Sequence, residues 1–317
     1  MKGSRAWLWA LAGALLLAPL VAQRGTLNDL WNVAFAVVLA SAWNLLGGFA
    51  GQISLGYSVF VGIGAYTTVL LAGAGWSPWL TLPMGAALAV VFSVLVGLPT
   101  FRLRGPYFSI ATIGVGEAVR VLASGVEFTG GSSGLRMPSG NFHFLANYYG
   151  MAALALLTVG VVAFIRANAF GLALEAIRQD IDAAEALGIA STRAKLLAHA
   201  VSAGLVGAAG GLFAMNFQYI SPGSVFDFRL SLSIVLMPIV GGIGTLVGPV
   251  LGAVLFSYLQ IKLLASPMLR DSYLFIYGGL LMLVMLFEPR GMVGLFERLT
   301  QFLRRTGRAK TEAPRAG

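Results

Sequence analysis

The sequence predicts an all-α polytopic membrane protein with about ten membrane segments, some of them short or broken by glycine. Three observations carry this reading. Hydrophobic residues make up 58 % of the 317 residues and charged residues only 10 %, against roughly 25 % charged in soluble domains. Mean hydropathy is +0.84. Glycine occurs 41 times, a composition suited to helices that approach closely in a bilayer. The formal charge of +9 would suit nucleic acid, but the basic residues sort by membrane side, so none is expected as a partner. The absence of cysteine excludes disulfides, thiolate metal sites and cysteine nucleophiles. His143 and His199 lie too far apart in sequence to suggest a metal site.

Taken in order, Lys2 and Arg5 precede an apolar run at 7–22, read as a retained membrane anchor in preference to a cleavable signal ending Pro19-Leu20-Val21-Ala22. Further spans are expected at 27–47, 52–74, 79–101, 106–124 and 148–165. After a polar interval come 196–219, a Gly-interrupted pair at 230–242 and 246–264, and 272–287. With the N-terminus inside, fifteen of the 21 Lys and Arg fall on the cytoplasmic side, which predicts an N-in/C-in chain. The polar tail at 304–317 reads as disordered and basic.

The polar interval 171–195 is the longest interior run unsuited to lipid. Leu174, Ile177, Ile181 and Ala184 recur at helical spacing on one face, with Glu175, Arg178, Gln179, Asp182 and Glu185 elsewhere. Glu175–Arg178 and Arg178–Asp182 are spaced for side-chain pairing. Gly188 is a natural helix stop, and Ser191 or Thr192 is the expected cap of the next helix. Such a helix must lie on lipid or dock on a soluble partner.

Four other stretches are candidates for chemistry. Around Gly47–Tyr66 the glycines thin or break a helix, which is tolerated at membrane depth only against protein or a watery cavity. Gln52, Ser54 and Tyr57 are therefore candidate pathway-lining residues, with small-residue packing as the alternative. Glu117 and Arg120 share a helical face inside an apolar span, as pathway residues or as a structural ion pair. The outer loop Thr129-Gly130-Gly131-Ser132-Ser133-Gly134 offers a backbone nest for a carboxylate or a docked protein, or is a plain flexible loop. Gly244, Gly248 and Gly252, at four-residue steps, suggest close helix packing. His199 reads as a hydrogen-bonded packing residue. No G-x-x-x-x-G-K-[ST] motif occurs, so no Walker-type nucleotide site is expected. Asp227, between Phe226 and Phe228, has no evident acid/base partner, and no enzymatic activity is expected.

GQISLGYSVFVGIGAYTTVLL at 51–71, GEAVR with TGGSSGL at 116–135, AIRQDIDAAEALGIASTRAKLLAHAVSAGLVGAAGGLFA at 176–214 and DFRLSLSIVLMPIVGGIGTLVGPVLGA at 227–253 occur in an order that resembles the LivM-type permeases of bacterial branched-chain amino-acid ABC transporters. FEPRG at 287–291 is similar to that family's ending. The resemblance implies a single transmembrane permease domain over 1–303, with a cytoplasmic coupling loop at about 166–195, in the bacterial inner membrane. It implies a homologous LivH-type permease, two cytosolic ABC ATPases and a periplasmic amino-acid-binding protein as partners, with ATP used by those partners and no cofactor here. It also implies that Asp182-Ala183-Ala184-x-x-x-Gly188, similar to the E-A-A-x-x-x-G loop of importer permeases, contacts an ATPase, with Arg178 and Glu185 beside it. The downstream I-x-L-P of that motif is absent, and Leu172 stands where the family usually carries Arg. Thr129, Gly130, Gly131 and Gly134 would then face the binding protein. Related permeases carry urea, amides or other amino acids, and an ion-coupled secondary transporter is the rival of another class.

Overall fold

The structure is a computed structural model and describes residues 23–138 and 143–265, with isolated positions towards both ends and the short stretch 291–294. The spans expected at 7–22 and 272–287 lie largely outside the described residues, and the tail at 304–317 lies wholly outside them. The described chain is helical apart from loops and one two-residue β-pair. The helices are α1 (Arg24–Asn44), α2 (Ser58–Gly73), α3 (Pro78–Thr100), α4 (Pro106–Gly125), α5 (Phe144–Ala167), α6 (Ala169–Gln179), α7 (Ile181–Ala186), α8 (Ser191–Phe217), α9 (Pro222–Val225), α10 (Phe228–Gly242) and α11 (Gly248–Ala265). Among the described residues, six stretches are long and apolar enough to cross a membrane. They are Arg24–Phe49, Pro78–Thr100, Pro106–Gly125, Phe144–Ala167, Ser191–Phe217 and Pro222–Gly242, while α2 and α11 are apolar but shorter.

The span at the centre is the most buried of the six and not the most apolar, with a mean hydropathy of 1.5 against 2.1 for α3. Of the core window of α1, 83 % is buried, against 17 % for α4. Helices α5, α8, α10 and α11 surround α1, and α8 also carries α2 and α3 on another face. Buried hydrogen bonds fix these contacts where apolar packing alone would let the helices slide. Trp31 Nε1 donates to Asn147 Oδ1 at 2.9 Å, and Asn147 Nδ2 donates to the Leu212 carbonyl at 3.2 Å, tying α1, α5 and α8. Asn147→Ala is expected to cost about 0.6–2 kcal/mol, the span found for interhelical hydrogen bonds in membranes, read as a lowered midpoint of thermal unfolding in detergent.

The seam between α2, α3 and α8 is made of backbone. A Cβ at Gly64 would overlap the Gly207 carbonyl oxygen, and a Cβ at Gly207 would lie 3.0 Å from the Gly85 carbonyl oxygen. Only glycine lets three helices approach so closely.

The break expected near Gly47–Tyr57 is larger than the sequence suggests. Helix α1 widens into a π-helical turn over Leu45–Phe49, Gly51 takes φ +70°, and residues 51–57 run without regular structure. The span expected from 52 therefore begins as helix only at Ser58. The backbone groups freed by the break find partners. Trp43 Nε1 donates to the Ser54 carbonyl at 2.9 Å, the Leu55 amide donates to Thr112 Oγ1 at 3.0 Å, and Ser109 Oγ donates to the Ile53 carbonyl at 2.6 Å. This irregular backbone is satisfied by protein partners, with Gln52, Ser54, Gly56 and Tyr57 buried and Gly51 and Ile53 exposed, against the protein or cavity that such backbone needs within a bilayer.

The glycine steps at 244, 248 and 252 do not form one helical stripe, because Gly244 sits in the corner between α10 and α11 with φ +74°. Helix packing does use Gly248 and Gly252: added Cβ atoms there would overlap the Gly242 and Met237 carbonyl oxygens. Gly291, from FEPRG, lies against the same corner, where an added Cβ would come within 2.7 Å of Gly242 N and the Val240 carbonyl oxygen. His199 is buried among aromatic rings, 5.1 Å from Phe60 and 5.6 Å from Phe101 between centroids, with Nδ1 3.4 Å from the Tyr57 hydroxyl.

Candidate functional site

The polar interval forms two helices rather than one. The chain breaks at Asp180, which is extended (φ −155°, ψ 116°) and accepts from the Asp182 and Ala183 amides at 2.9 and 3.0 Å. This is an aspartate N-cap at the start of α7. At the other end, the Gly188 amide donates to the Glu185 carbonyl and the Ile189 amide to the Ala184 carbonyl, at 2.9 and 3.1 Å. With φ +86° at Gly188, this is the double closure of a glycine-stopped helix. Neither Ser191 nor Thr192 caps α8. Its N-cap is Ala190, without a side-chain bond, and Ser191 Oγ donates to Glu185 Oε1 instead.

The apolar face falls as the spacing predicts. Leu174, Ile177 and Ala184 are buried and Ile181 half-buried, so the helix pair is seated on the bundle by its own core. Ala184 therefore belongs to that seat and is not an outer surface. The expected Glu175–Arg178 and Arg178–Asp182 pairs are replaced by longer-range ones. Asp182 receives Arg104, from the α3–α4 connection, at 2.9 Å with both side chains largely exposed (72 and 69 %), a pair worth about 0–1 kcal/mol. Arg178 turns the other way, its Nη1 donating to the Gly48 carbonyl at 2.8 Å.

What α7 leaves outward is Asp182, Ala183, Glu185, Ala186, Leu187 and Gly188, all exposed. Leu187 is 81 % exposed and Leu172, on α6, 67 %. This is a small-residue patch with an apolar tip and an acidic flank. It lacks the basic face that anchors a helix on lipid headgroups, and it is held from below by contacts to α1, the α3–α4 connection and α8.

A second feature is a groove of about 430 Å³ between the irregular segment and the start of α4, lined by Gln52, Ile53, Gly105, Ser109, Ile110 and Ile113 among others. Gln52 reaches it, with Nε2 3.5 Å from the Leu103 carbonyl. Ser54 and Tyr57 lie behind it, buried to 2 and 0 % exposure, and hold the wall rather than form its surface. Glu117 and Arg120 continue the line of Ile110 and Ile113 along one face of α4. They form a bidentate ion pair, with Arg120 Nε 2.9 Å from Glu117 Oε2 and Nη2 on Oε1, on a face that this chain leaves half open.

The glycine-rich loop at 129–134 is ordered. Glu127–Thr129 and Gly131–Ser133 form 3-10 turns, and Gly130, Gly131 and Gly134 all have positive φ. Leu135–Arg136 pairs antiparallel with Tyr219–Ile220. Thr129 Oγ1 donates to the Val126 carbonyl at 2.7 Å, and the Tyr219 hydroxyl donates to the Ser133 carbonyl at 2.6 Å.

Sequence reasoning did not find a cleft of about 450 Å³ whose walls come from α1, α8, α10 and α11, with Asn32, Phe35, Phe217, Arg229 and Gln260 among its lining. No local pattern marks it, because its residues are nearly 230 positions apart in sequence. Asp227 also lines it and caps α10, accepting from the Arg229 amide at 2.9 Å. Among the described residues no group of His, Asp or Glu is placed to hold a metal ion.

Residues 26–285 match the family described as the permease component of branched-chain amino acid transport systems. The chain is 31 % identical to the high-affinity branched-chain amino acid transport system permease protein LivM of Escherichia coli K12, over 95 % of this chain and 78 % of the relative. It is 30 % identical to LivM of Salmonella typhimurium, over 96 and 78 %. The permease LivH of Escherichia coli K12 is 25 % identical over 81 % of this chain and 90 % of its own length. No solved structure matches the chain. A multi-pass helical bundle, the match over most of its length and the two LivM relatives together establish that this chain belongs to the branched-chain amino-acid transport permease family.

Proposed function

We infer that the chain is the membrane-spanning permease of an ATP-driven importer of branched-chain amino acids, non-catalytic in itself, in a bacterial inner membrane. It forms half of the pathway beside a homologous LivH-type permease. Two cytosolic ATPases supply the energy, and a periplasmic binding protein delivers the amino acid to the face carrying Thr129–Gly134. The chain crosses the membrane about ten times with both termini inside, which keeps most Lys and Arg on the cytoplasmic side.

The observation that carries this reading is the exposed helix pair α6–α7, seated on the bundle through Leu174, Ile177 and Ala184 and presenting a small-residue patch with an acidic flank and exposed Leu172 and Leu187 on its outer side. A segment built this way passes force between a soluble protein and a membrane bundle. The outward residues Asp182, Ala183, Glu185 and Gly188 meet the ATPase, joined by Leu187. The groove beside Gln52 and the Glu117–Arg120 pair form this chain's wall of the pathway, and the partner permease supplies the facing wall. Alternating access follows when ATPase closure moves α6–α7 and the elements tied to it.

In proteoliposomes containing both permeases, uptake of leucine should require the ATPases and ATP and survive an uncoupler that collapses ion gradients. Uptake that continues without ATPases and stops with the uncoupler would identify an ion-coupled carrier instead. Competition by urea or amides against binding of leucine to the soluble partner tests the substrate separately.

A further inference from the structure

Helix α1 ends inside the bundle, and its end is closed by a side chain from far along the sequence. A π-helical turn at a helix terminus leaves carbonyls without intrahelical donors. Two of those over Leu45–Phe49 are answered. The Leu46 carbonyl accepts from the Gln52 amide at 3.1 Å, and the Gly48 carbonyl accepts from Arg178 Nη1 at 2.8 Å. A guanidinium at a helix C-terminus also meets the negative end of the macrodipole.

The slot that admits this arginine is made of glycine. A Cβ at Gly51 would stand 3.0 Å from Arg178 Cγ, and one at Gly244 would overlap Nη1. The same helix end grips the α10–α11 corner: the Gly244 amide donates to Asn44 Oδ1 and Asn44 Nδ2 donates to the Thr245 carbonyl, each at 2.9 Å. The end of α1, the α10–α11 corner and α6 therefore meet in one hydrogen-bonded knot, and Arg178 is what α6 contributes to it.

We propose that Arg178 is the positioning residue that transmits movement of α6–α7 to the break in α1 and to the α10–α11 corner, rather than a contact with the ATPase. This rests on the coupling role of α6–α7 inferred above. Lysine supplies the charge on a flexible stem without the fixed, planar guanidinium that places Nη1 on the Gly48 carbonyl, so it replaces arginine only in part.

The test uses the assembled transporter, both permeases with ATPases and binding protein, in proteoliposomes, reading leucine transported per ATP hydrolysed. In Arg178→Ala the ATPases should still co-purify with the permeases, while the ratio falls about tenfold, the scale of one lost charge-assisted hydrogen bond. Arg178→Lys should recover part of it, and Gly244→Ala, which fills the slot and keeps the arginine, should lose it as Arg178→Ala does. If Arg178→Ala does not assemble, the other two variants read the same ratio. A wild-type ratio in these variants overturns the proposal. So does release of the ATPases by Arg178→Ala, which would make Arg178 a docking contact and leave the coupling role of α7 standing. That role fails separately, if Leu187→Asp keeps both ATPases and uptake.

Discussion

Leu187→Asp is expected to abolish ATP-driven uptake while the permease still folds and inserts. Leu187, the C-cap of α7, is 81 % exposed, so the change touches nothing in the bundle core. Burying a leucine in a partner's pocket contributes about 1.5–3 kcal/mol, and a carboxylate in its place adds desolvation. Even the lower bound for a central interface residue, about 2 kcal/mol, weakens association about 30-fold. The check is two measurements on one preparation: the amount of ATPase that co-purifies, and uptake at saturating ATP. Gly188→Val should act on the same readouts by another route. Its φ of +86° is strained for a β-branched residue, so the glycine stop of α7 is lost and its tip displaced. Ala184→Arg is a poorer probe of docking, because Ala184 is buried in the seat of the helix and the change would disturb the chain's own packing first.

Gly64→Val should have the largest effect on folding. The added Cβ would overlap the Gly207 carbonyl oxygen, and Gly85 of α3 lies against the same point with its own Cβ position 3.1 Å from Gly64 Cα. Backbone cannot yield as a side-chain tip can, so α2, α3 and α8 must separate. Overpacking in a tight core costs about 1–3 kcal/mol when side chains give way, and this seam has none to give. The expected outcome is loss of monodisperse protein on size-exclusion chromatography in mild detergent, with Gly73→Val as a control. An added Cβ at Gly73 meets nothing within 4 Å, and that variant should elute as wild type.

The long helices were legible because each is a continuous apolar run between turn residues. Pro78–Thr100, Phe144–Ala167 and Ser191–Phe217 fall within a few residues of the expected 79–101, 148–165 and 196–219. The helix stop at Gly188 and the buried Leu174–Ile177–Ala184 face were legible for the same local reason. Periodicity did not show the break at Asp180, since the apolar spacing of Leu174, Ile177, Ile181 and Ala184 runs through it unchanged. The Asp180 side chain two residues before Asp182 was the available signal. Nor did spacing show the partners of Arg178 and Asp182. Both have neighbours at helical distance, yet Arg178 bonds 130 positions away and Asp182 pairs 78 positions away. Those choices follow from where the bundle places α1 and the α3–α4 connection. The groove shows the same limit. Gln52 is at its surface and Tyr57 behind it, a division set by the extended backbone of 51–57 and not by residue type.

The claim that α7 meets an ATPase and not the lipid surface is open to one direct measurement. The chain has no cysteine, so Leu187→Cys introduces a single thiol in this subunit. In the intact transporter, a short bifunctional thiol-to-amine reagent should join this subunit to an ATPase subunit, seen as a band of their summed mass. A spin label at the same position should be shielded from a lipid-soluble relaxing agent. If no such band forms, and the label is relaxed as strongly as one at Leu95 on the outer face of α3, then α7 lies on lipid and the coupling account is wrong.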